Sequence, residues 1–281
     1  MEQICDVCFR HCRLSEGMTG ACKARRCEDG KVAIANYGKI TSLALDPIEK
    51  KPLNRFYPGS MILSVGSYGC NLKCPFCQNV EISLADGRPE CEAEYVPPEV
   101  IAQIAVKHKE RGNIGVAFTY NEPLVGYEFV VDTARLVKEA GMKNVLVTNG
   151  CFTRSVFDSV IPYIDAMNID LKCFTESYYR DTLKGDLDTV KEFITLAAGS
   201  CHVELTTLII PDENDSDEEM EALSGWIAEL EKQTGKQIPL HISRFFPMSR
   251  YAGRRPTRVE SVRHLADLAG RKLKFVYMGN I

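Results

Sequence analysis

The chain has 281 residues, 45% hydrophobic and 26% charged, with a formal net charge of −4. That length supports a sizeable core, as one large α/β domain or two smaller ones, and the slight acidity argues against general affinity for nucleic acid or anionic membrane. No run of about 18 apolar residues occurs, so no membrane span is expected, and the opening "MEQICDVCFRH" lacks the apolar region of a secretory signal.

Twelve cysteines in a chain without an export signal read as metal ligands and buried thiols in a reducing compartment, the cytoplasm, rather than as a disulfide scaffold. Charge is uneven along the chain. Nine acidic and no basic residues lie between Asp212 and Glu231, whereas Lys236 to Ile281 carries ten Lys/Arg against two acids. Both runs read first as solvated faces; the basic tail alternatively meets a phosphate or an acidic partner.

In chain order, residues 1–43 are cysteine-dense and rich in Arg and Gly, which predicts a separate small module, and 44–60 reads as a linker. From residue 61 strand-like and helix-like runs alternate. "MILSVG" (61–66) is a strand leading into a cysteine loop. "PPEVIAQIAVKHKERG" reads as a helix with Pro at its start and Gly at its end. "IGVAFT" is a strand, "LVGYEFVVDTARLVKEAG" a helix and "NVLVTNG" a strand. "AMNIDL" is a strand, followed by a helical stretch through Leu196. "HVELTTLII" is a strand, after which Ser216 and Glu219 form a capping box for a helix reaching about Gln233. "IPLHIS", a helix around Glu260 to Ala269, and "LKFVYM" complete the series. Seven strands with intervening helices imply right-handed βαβ units and a parallel sheet. They are too few for an eight-fold barrel, and no glycine-rich dinucleotide turn follows the first strand. A partial, open (β/α) barrel is expected, with functional groups at the C-terminal strand ends.

"YGCNLKCPFCQN" (68–79) sets Cys70, Cys74 and Cys77 at C-x3-C-x2-C. Three thiols leave a tetrahedral metal one ligand short. Either Cys91 or a distant residue completes a zinc knuckle, or the thiols hold three irons of a [4Fe-4S] cube and leave the fourth open for a small molecule.

The loop follows the first strand of the series, with Phe76 between the last two cysteines, and in this it resembles the radical S-adenosylmethionine (SAM) superfamily. The resemblance implies that the open iron takes the SAM amino and carboxylate groups. One electron then cleaves the sulfonium to methionine and a 5′-deoxyadenosyl radical, which abstracts hydrogen from a substrate. The implied fold is a partial (β/α)6-type radical SAM barrel, residues 61–281, preceded by a cysteine-rich metal-binding module. The electron requires a flavodoxin- or ferredoxin-type reductant.

"FTYNEP" (118–123) occupies the place of the family's Gly-Gly-Glu motif, though its glycines are replaced, and nominates Thr119, Asn121 and Glu122 as SAM contacts. "TNG" adds Asn149, and "DLK" adds Asp170 and Lys172. His241, in the sixth strand, is placed against the adenosine. Taken singly, a strand-end Asn-Gly is more often a turn and an Asp–Lys pair more often structural; together, at successive strand ends, they gain weight.

The flank "LDPIEKKPLNRFYPGSMILSVGSYGCNLKCPFCQNVEIS" (45–83), with "TYNEP", "HISRFFPM" and "VYMGN", is similar to the AmmeMemoRadiSam-system radical SAM proteins, relatives of the pyruvate formate-lyase activating enzymes. That resemblance spans nearly the whole chain and does not supply a substrate, which stays open between a small molecule and a partner macromolecule.

Cys5, Cys8, Cys12 and Cys22 match the N-terminal pattern of the same group, with Cys27 additional. Four thiolates close a tetrahedron around structural zinc, leaving no position open; an auxiliary [4Fe-4S] cluster is the alternative. His11, between Arg10 and Arg13, reads as a solvated loop residue rather than a ligand. Cys91, Cys151, Cys173 and Cys201 read as small buried hydrophobes, and Tyr120 and Tyr127 as packing. Two further functions compete with a small-molecule or macromolecule-modifying radical SAM enzyme: an activase that installs a glycyl radical on a partner, and a non-catalytic Fe–S or zinc protein.

Overall fold

The computed structural model describes residues 2–84 and 92–281; Cys91 lies outside the described residues. Eight strands form one sheet whose order follows the chain. They are β1 (Ser42–Pro47), β2 (Met61–Gly66), β3 (Asn113–Phe118), β4 (Lys143–Thr148), β5 (Ala166–Asp170), β6 (His202–Ile209), β7 (Leu240–Arg244) and β8 (Val276–Gly279). β1 runs antiparallel to β2; β2 to β8 are all parallel to their neighbours. All seven expected strands are present, so the barrel has seven parallel strands where the (β/α)6 type has six. Their apolar runs, such as "MILSV" and "AMNI", are buried on both faces, as a covered parallel sheet requires.

Helices α1 (Pro98–Lys107), α2 (Tyr127–Glu139), α3 (Arg154–Val160), α4 (Leu187–Ser200), α5 (Asp217–Thr234) and α6 (Val259–Gly270) connect successive strands. α3, only seven residues long, has no counterpart among the sequence expectations. The capping box at α5 is half realised. Ser216 Oγ accepts the Glu219 backbone N–H at 3.2 Å. The Glu219 carboxylate instead takes the Phe174 N–H and the Thr175 hydroxyl, fixing the loop after β5.

The largest departure from expectation is the stretch 44–60. Its first residues belong to β1, and the remainder folds into the concave side of the sheet. Ile48, Leu53 and Phe56 pack there with Ile62, Ala117, Val145 and Ala166 as a core distinct from the one beneath the helices. Polar anchors fix it. Asn168 Nδ2 donates to Pro52 O at 2.8 Å. The buried Glu204 carboxylate accepts from Asn54 N at 3.0 Å and Arg55 N at 2.7 Å, and it also meets His202 Nε2 at 2.9 Å and His241 Nε2 at 2.7 Å. A linker would leave these backbone groups in water; here each has a buried partner.

The cysteine-rich segment sits against α2 and against the start of the loop after β2. Buried Arg25 makes a bidentate pair with Glu128 at 2.6 Å and donates to Val125 O at 2.7 Å. Tyr37 bonds Asp132, and Asn36 bonds Tyr68 O at 2.8 Å.

Burial alone would raise the Glu204 carboxyl, but its two histidine contacts and two backbone N–H bonds outweigh that and hold it at about 2. A carboxyl depressed in the folded state contributes stability that is present above its unfolded value and lost as pH falls through the folded one. The Glu204→Gln variant should therefore lose stability at neutral pH and show a flatter acid limb between about pH 4.5 and 2 than the wild type. Urea unfolding midpoints across that range measure both. Glu204→Ala, which strands His241 and two N–H groups, should cost about 3 kcal/mol or more.

Candidate active site

Seven segments at the C-terminal strand ends surround a cavity of about 360 Å³. Its walls include Cys70, Cys74 and Cys77, then Thr119, Asn121 and Glu122 after β3, Thr148 and Asn149 at the end of β4, and Asp170 and Lys172 at the end of β5. Thr206, Ser243 and Asn280 continue the wall on the far strands. The structure thus gathers every expected SAM-contact residue except His241. That side chain lies one layer lower, bonded to Glu204 and stacked on Tyr277 at 5.2 Å, and it does not line the cavity. Strand alternation explains the difference: His241 and Ser243 share a face, and the residue two positions closer to the strand end reaches the cavity.

The cysteine loop leaves β2 through Gly69, whose φ of +94° is open to glycine. A Cβ there would stand 2.6 Å from Cys22 O. This close approach lets Cys70 N donate to Cys22 O at 3.1 Å, tying the loop to the N-terminal cysteines. Sulfur-directed donors follow: Leu72 N lies 3.4 Å and Asn149 Nδ2 3.8 Å from Cys70 Sγ. Burial drives the Cys70 thiol far up, with Glu122 adding to it, and pushes Cys74 up to about 11. Both are therefore neutral thiols in the metal-free chain, and binding a metal must displace their protons. Among the described residues no three His, Cys, Asp or Glu side chains already stand as a closed metal-holding group. The donor set nevertheless fits an iron–sulfur centre: three thiols on one loop, N–H groups aimed at sulfur, and an open cavity on the remaining side.

Glu122 organises the wall. Its carboxylate accepts from Thr148 Oγ1 at 2.7 Å, Asn149 N at 2.7 Å and Leu124 N at 3.2 Å, joining the ends of β3 and β4. Burial nevertheless raises it to about 7. Asn121 is spent locally: it accepts from Ser67 N at 3.0 Å and donates to Tyr68 O and Gly69 O at 3.1 Å, holding the strand-to-loop turn. Asn149 donates to Asn71 Oδ1 at 2.8 Å, and Asn71 donates to Cys151 O at 2.9 Å. Lys172 Nζ pairs with Asp170 at 3.0 Å. Burial pulls that ammonium down, but the charge and hydrogen bond of Asp170 outweigh it and carry it above its ordinary range.

Sequence reasoning missed Asn71, although it stands inside the cysteine loop, and it missed the cavity floor. Lys51, which is nearly buried, pairs with Asp46 at 2.9 Å and sits 4.7 Å over the Tyr120 ring. Tyr120 in turn donates to Asp46 at 2.8 Å. No local signal in 44–60 marks that reach.

Cys5, Cys8 and Cys22 are buried and Cys12 half-buried. Burial pushes Cys8 up to about 12, and the thiols of Cys22, Cys12 and Cys5 add to the push, so the four are neighbours. Cys27 stands apart, packed with Cys5 and Leu14 and 3.9 Å from Glu16. His11 is exposed and 3.8 Å from Asp6. Cys151 and Cys173 are buried, while Cys201 is only partly so; none of the three lines the cavity.

The profile of the Radical SAM superfamily matches residues 64–223. An uncharacterised protein of Methanocaldococcus jannaschii is 38% identical over 281 residues, spanning 99% of this chain and 81% of that protein. The pyruvate formate-lyase 1-activating enzyme of Escherichia coli K12 is 26% identical over 153 residues, covering 53% of this chain and 61% of the enzyme. Among solved structures, Streptococcus suis SuiB bound to S-adenosylmethionine shares the fold over 75% of this chain and 48% of its own, with a TM-score of 0.57 and 15% identity. The chain belongs to the radical SAM superfamily. It is an enzyme of the class that cleaves SAM at a [4Fe-4S] cluster by radical chemistry, with relatives among the activating enzymes. No helix among the described residues is long and apolar enough to cross a membrane.

A carboxyl raised in the folded state contributes stability that is present below its unfolded value and lost as pH rises through the folded one. Glu122 should therefore make the metal-free protein less stable as pH rises through about 7. That loss runs from about pH 4.5, the carboxyl's ordinary value, to about 7 and then levels off; Glu122→Gln should remove it, as read by denaturant midpoints from pH 4.5 to 8.

Proposed function

We propose that the chain is an AmmeMemoRadiSam-system radical SAM enzyme, with a cysteine-rich module (1–43) seated on a radical SAM barrel (61–281). The observation that carries the reading is the meeting of Cys70, Cys74 and Cys77 with Glu122, Asn149, Asp170 and Lys172 around one cavity. The three cysteines are assigned as the cluster ligands. When bound, the cluster supplies the electron that splits SAM into methionine and a 5′-deoxyadenosyl radical.

The chain's own residues take definite roles. Glu122 and Thr119 line the wall nearest the cysteine loop, where an ammonium favours the ionised carboxylate. Asp170 and Lys172 present one charge of each sign, suited to hydroxyl and carboxylate groups of one ligand. Asn121 and Asn149 act as positioning residues, through the β2 turn and through Asn71. The far wall, at Thr206, Ser243 and Asn280, is left for the substrate. The N-terminal Cys5, Cys8, Cys12 and Cys22 are assigned to structural zinc, supported by their closeness to one another and by the burial of Cys5, Cys8 and Cys22. The reductant is a flavodoxin- or ferredoxin-type carrier and the compartment the cytoplasm.

The test is anaerobic reconstitution with iron and sulfide, then SAM and dithionite, with chromatography for 5′-deoxyadenosine. The wild type should form it. Cys74→Ala should lose cluster and product together, and an active Cys74→Ala would refute the ligand assignment. No product from a fully loaded wild type would leave a non-catalytic metal protein. Formation of a glycyl radical on a mixed partner protein would favour the activase reading.

Asp170→Asn should weaken SAM binding about tenfold through loss of one charge-assisted contact, measured by calorimetry. The Cys70/Cys74/Cys77 triple alanine variant should retain zinc and no iron by elemental analysis; retained iron would assign an auxiliary cluster to the N-terminal module instead.

A further inference from the structure

The two cysteine sets meet across one joint. Cys5, Cys8, Cys12 and Cys22 are neighbours in the N-terminal module, and each stretch between successive members carries bonds to the barrel. Between Cys5 and Cys8, the carbonyls of Asp6 and Val7 accept from the Thr153 hydroxyl at 2.7 and 3.3 Å, and Cys8 itself bridges Phe152. Between Cys8 and Cys12, the half-buried Arg10 donates from Nε to Asn71 O at 2.7 Å and from Nη2 to Lys184 O. At the end of the third stretch, Ala21 O accepts from Lys73 Nζ at 2.9 Å and Cys22 O accepts from Cys70 N at 3.1 Å.

The partners on the barrel side belong largely to the cysteine loop. No helix or strand covers residues 67–79, so the path of the backbone from Cys70 to Cys74 depends on where its polar groups find partners. Cys70, Asn71 and Lys73 find theirs in the module. Lys73 N also donates to Leu183 O at 2.8 Å, beside the Lys184 carbonyl that Arg10 holds. Arg10 thus ties together the module, the cysteine loop and the connection between β5 and α4. The module has little packing of its own to keep these groups in place. Its strands are Gln3–Ile4, Arg13–Leu14, Arg25–Glu28 and Lys31–Ile34, and its separate buried core is Cys5, Leu14 and Cys27. A segment with so small a core takes its order from a bound metal.

We propose that the four-thiol site of the N-terminal module is the clamp of the cluster-binding loop, with Arg10 as its positioning residue. An empty N-terminal site then frees Cys70, Asn71 and Lys73, and the [4Fe-4S] cluster is lost. The inference rests on the reading above, which assigns a metal to each cysteine set, and it makes the two sites load cooperatively rather than independently. Coupling between two binding sites is reciprocal, so the cluster in turn holds the N-terminal metal more tightly.

The test uses the full chain, purified with zinc and reconstituted anaerobically with iron and sulfide. It compares wild type, Arg10→Ala, Arg10→Lys, Lys73→Met and Cys12→Ser with a control, Arg26→Ala, at an exposed position of the same module. The readings are zinc and iron per chain, the rates of iron and zinc loss to a chelator, and the change that SAM makes in the electron paramagnetic resonance of the dithionite-reduced cluster. Arg10→Ala should keep its zinc and lose iron roughly tenfold faster, because two charge-assisted bonds are gone. Arg10→Lys, which keeps the charge and one donor direction, should recover part of that lifetime. Lys73→Met should shorten it in the same sense, and Arg26→Ala should match wild type. Cys12→Ser should lose zinc and the SAM-responsive cluster together, and wild-type zinc should leave more slowly with the cluster in place. Equal iron lifetimes in wild type, Arg10→Ala and Lys73→Met would overturn the clamp. So would an equal loss in Arg26→Ala, or a Cys12→Ser chain that lacks zinc and keeps a SAM-responsive cluster of wild-type lifetime. If SAM leaves the wild-type resonance unchanged, the radical SAM reading fails, and the iron lifetimes of wild type and Arg10→Ala decide the clamp by themselves.

Discussion

A curved parallel sheet that stops short of closure leaves its concave face without a partner, and the rest of this molecule depends on how that face is filled. Helices cover the convex side. On the concave side, residues 48–56 supply Ile48, Leu53 and Phe56 to the lower half, and Glu204 ties their backbone to β6 and β7. The upper half stays open as the cavity. A buried carboxylate is costly unless paired and hydrogen-bonded; Glu204 meets that demand with four partners, so the same residue that closes the bottom sets the depth of the site. Lys51, carried upward by this segment and neutralised by Asp46, forms part of the cavity floor.

The upper half shows a second use of buried charge. Glu122 is held by three donors yet remains raised, because burial exceeds what those bonds return. Lys172 is held charged by Asp170 despite its burial. The cavity therefore offers one carboxylate poised near neutrality and one fixed ion pair, beside thiols that become ligands only on losing protons.

Much of this was legible in the chain. The seven parallel strands followed from short apolar runs separated by helical periods, whereas the spacing of the cysteine loop left zinc and an iron–sulfur cluster open, and its resemblance to the radical SAM superfamily made the choice. The radical SAM resemblance nominates Asp170, Lys172, Glu122 and Asn149, and they meet because successive parallel strands in one sheet present their C-terminal ends together. α3 escaped notice because seven residues give less than two turns of periodicity. Glu219 was assigned to its own helix cap, whereas its carboxylate satisfies Phe174 and Thr175 some 45 positions away. Local pattern cannot rank two acceptors when one is distant.

The sequence by itself determined the strand and helix order, the thiol spacing and the side of the barrel that carries chemistry. These depend on local periodicity and on topology, and both are written along the chain. Tertiary structure alone decided that 44–60 is an edge strand and a plug rather than a connector. It also decided that His241 serves Glu204 rather than the cavity, and that Gly69 brings the cysteine loop against Cys22. Each of those outcomes turns on which distant group fills a given space or pairs a given buried polar atom, a competition settled only when the whole sheet has closed around it.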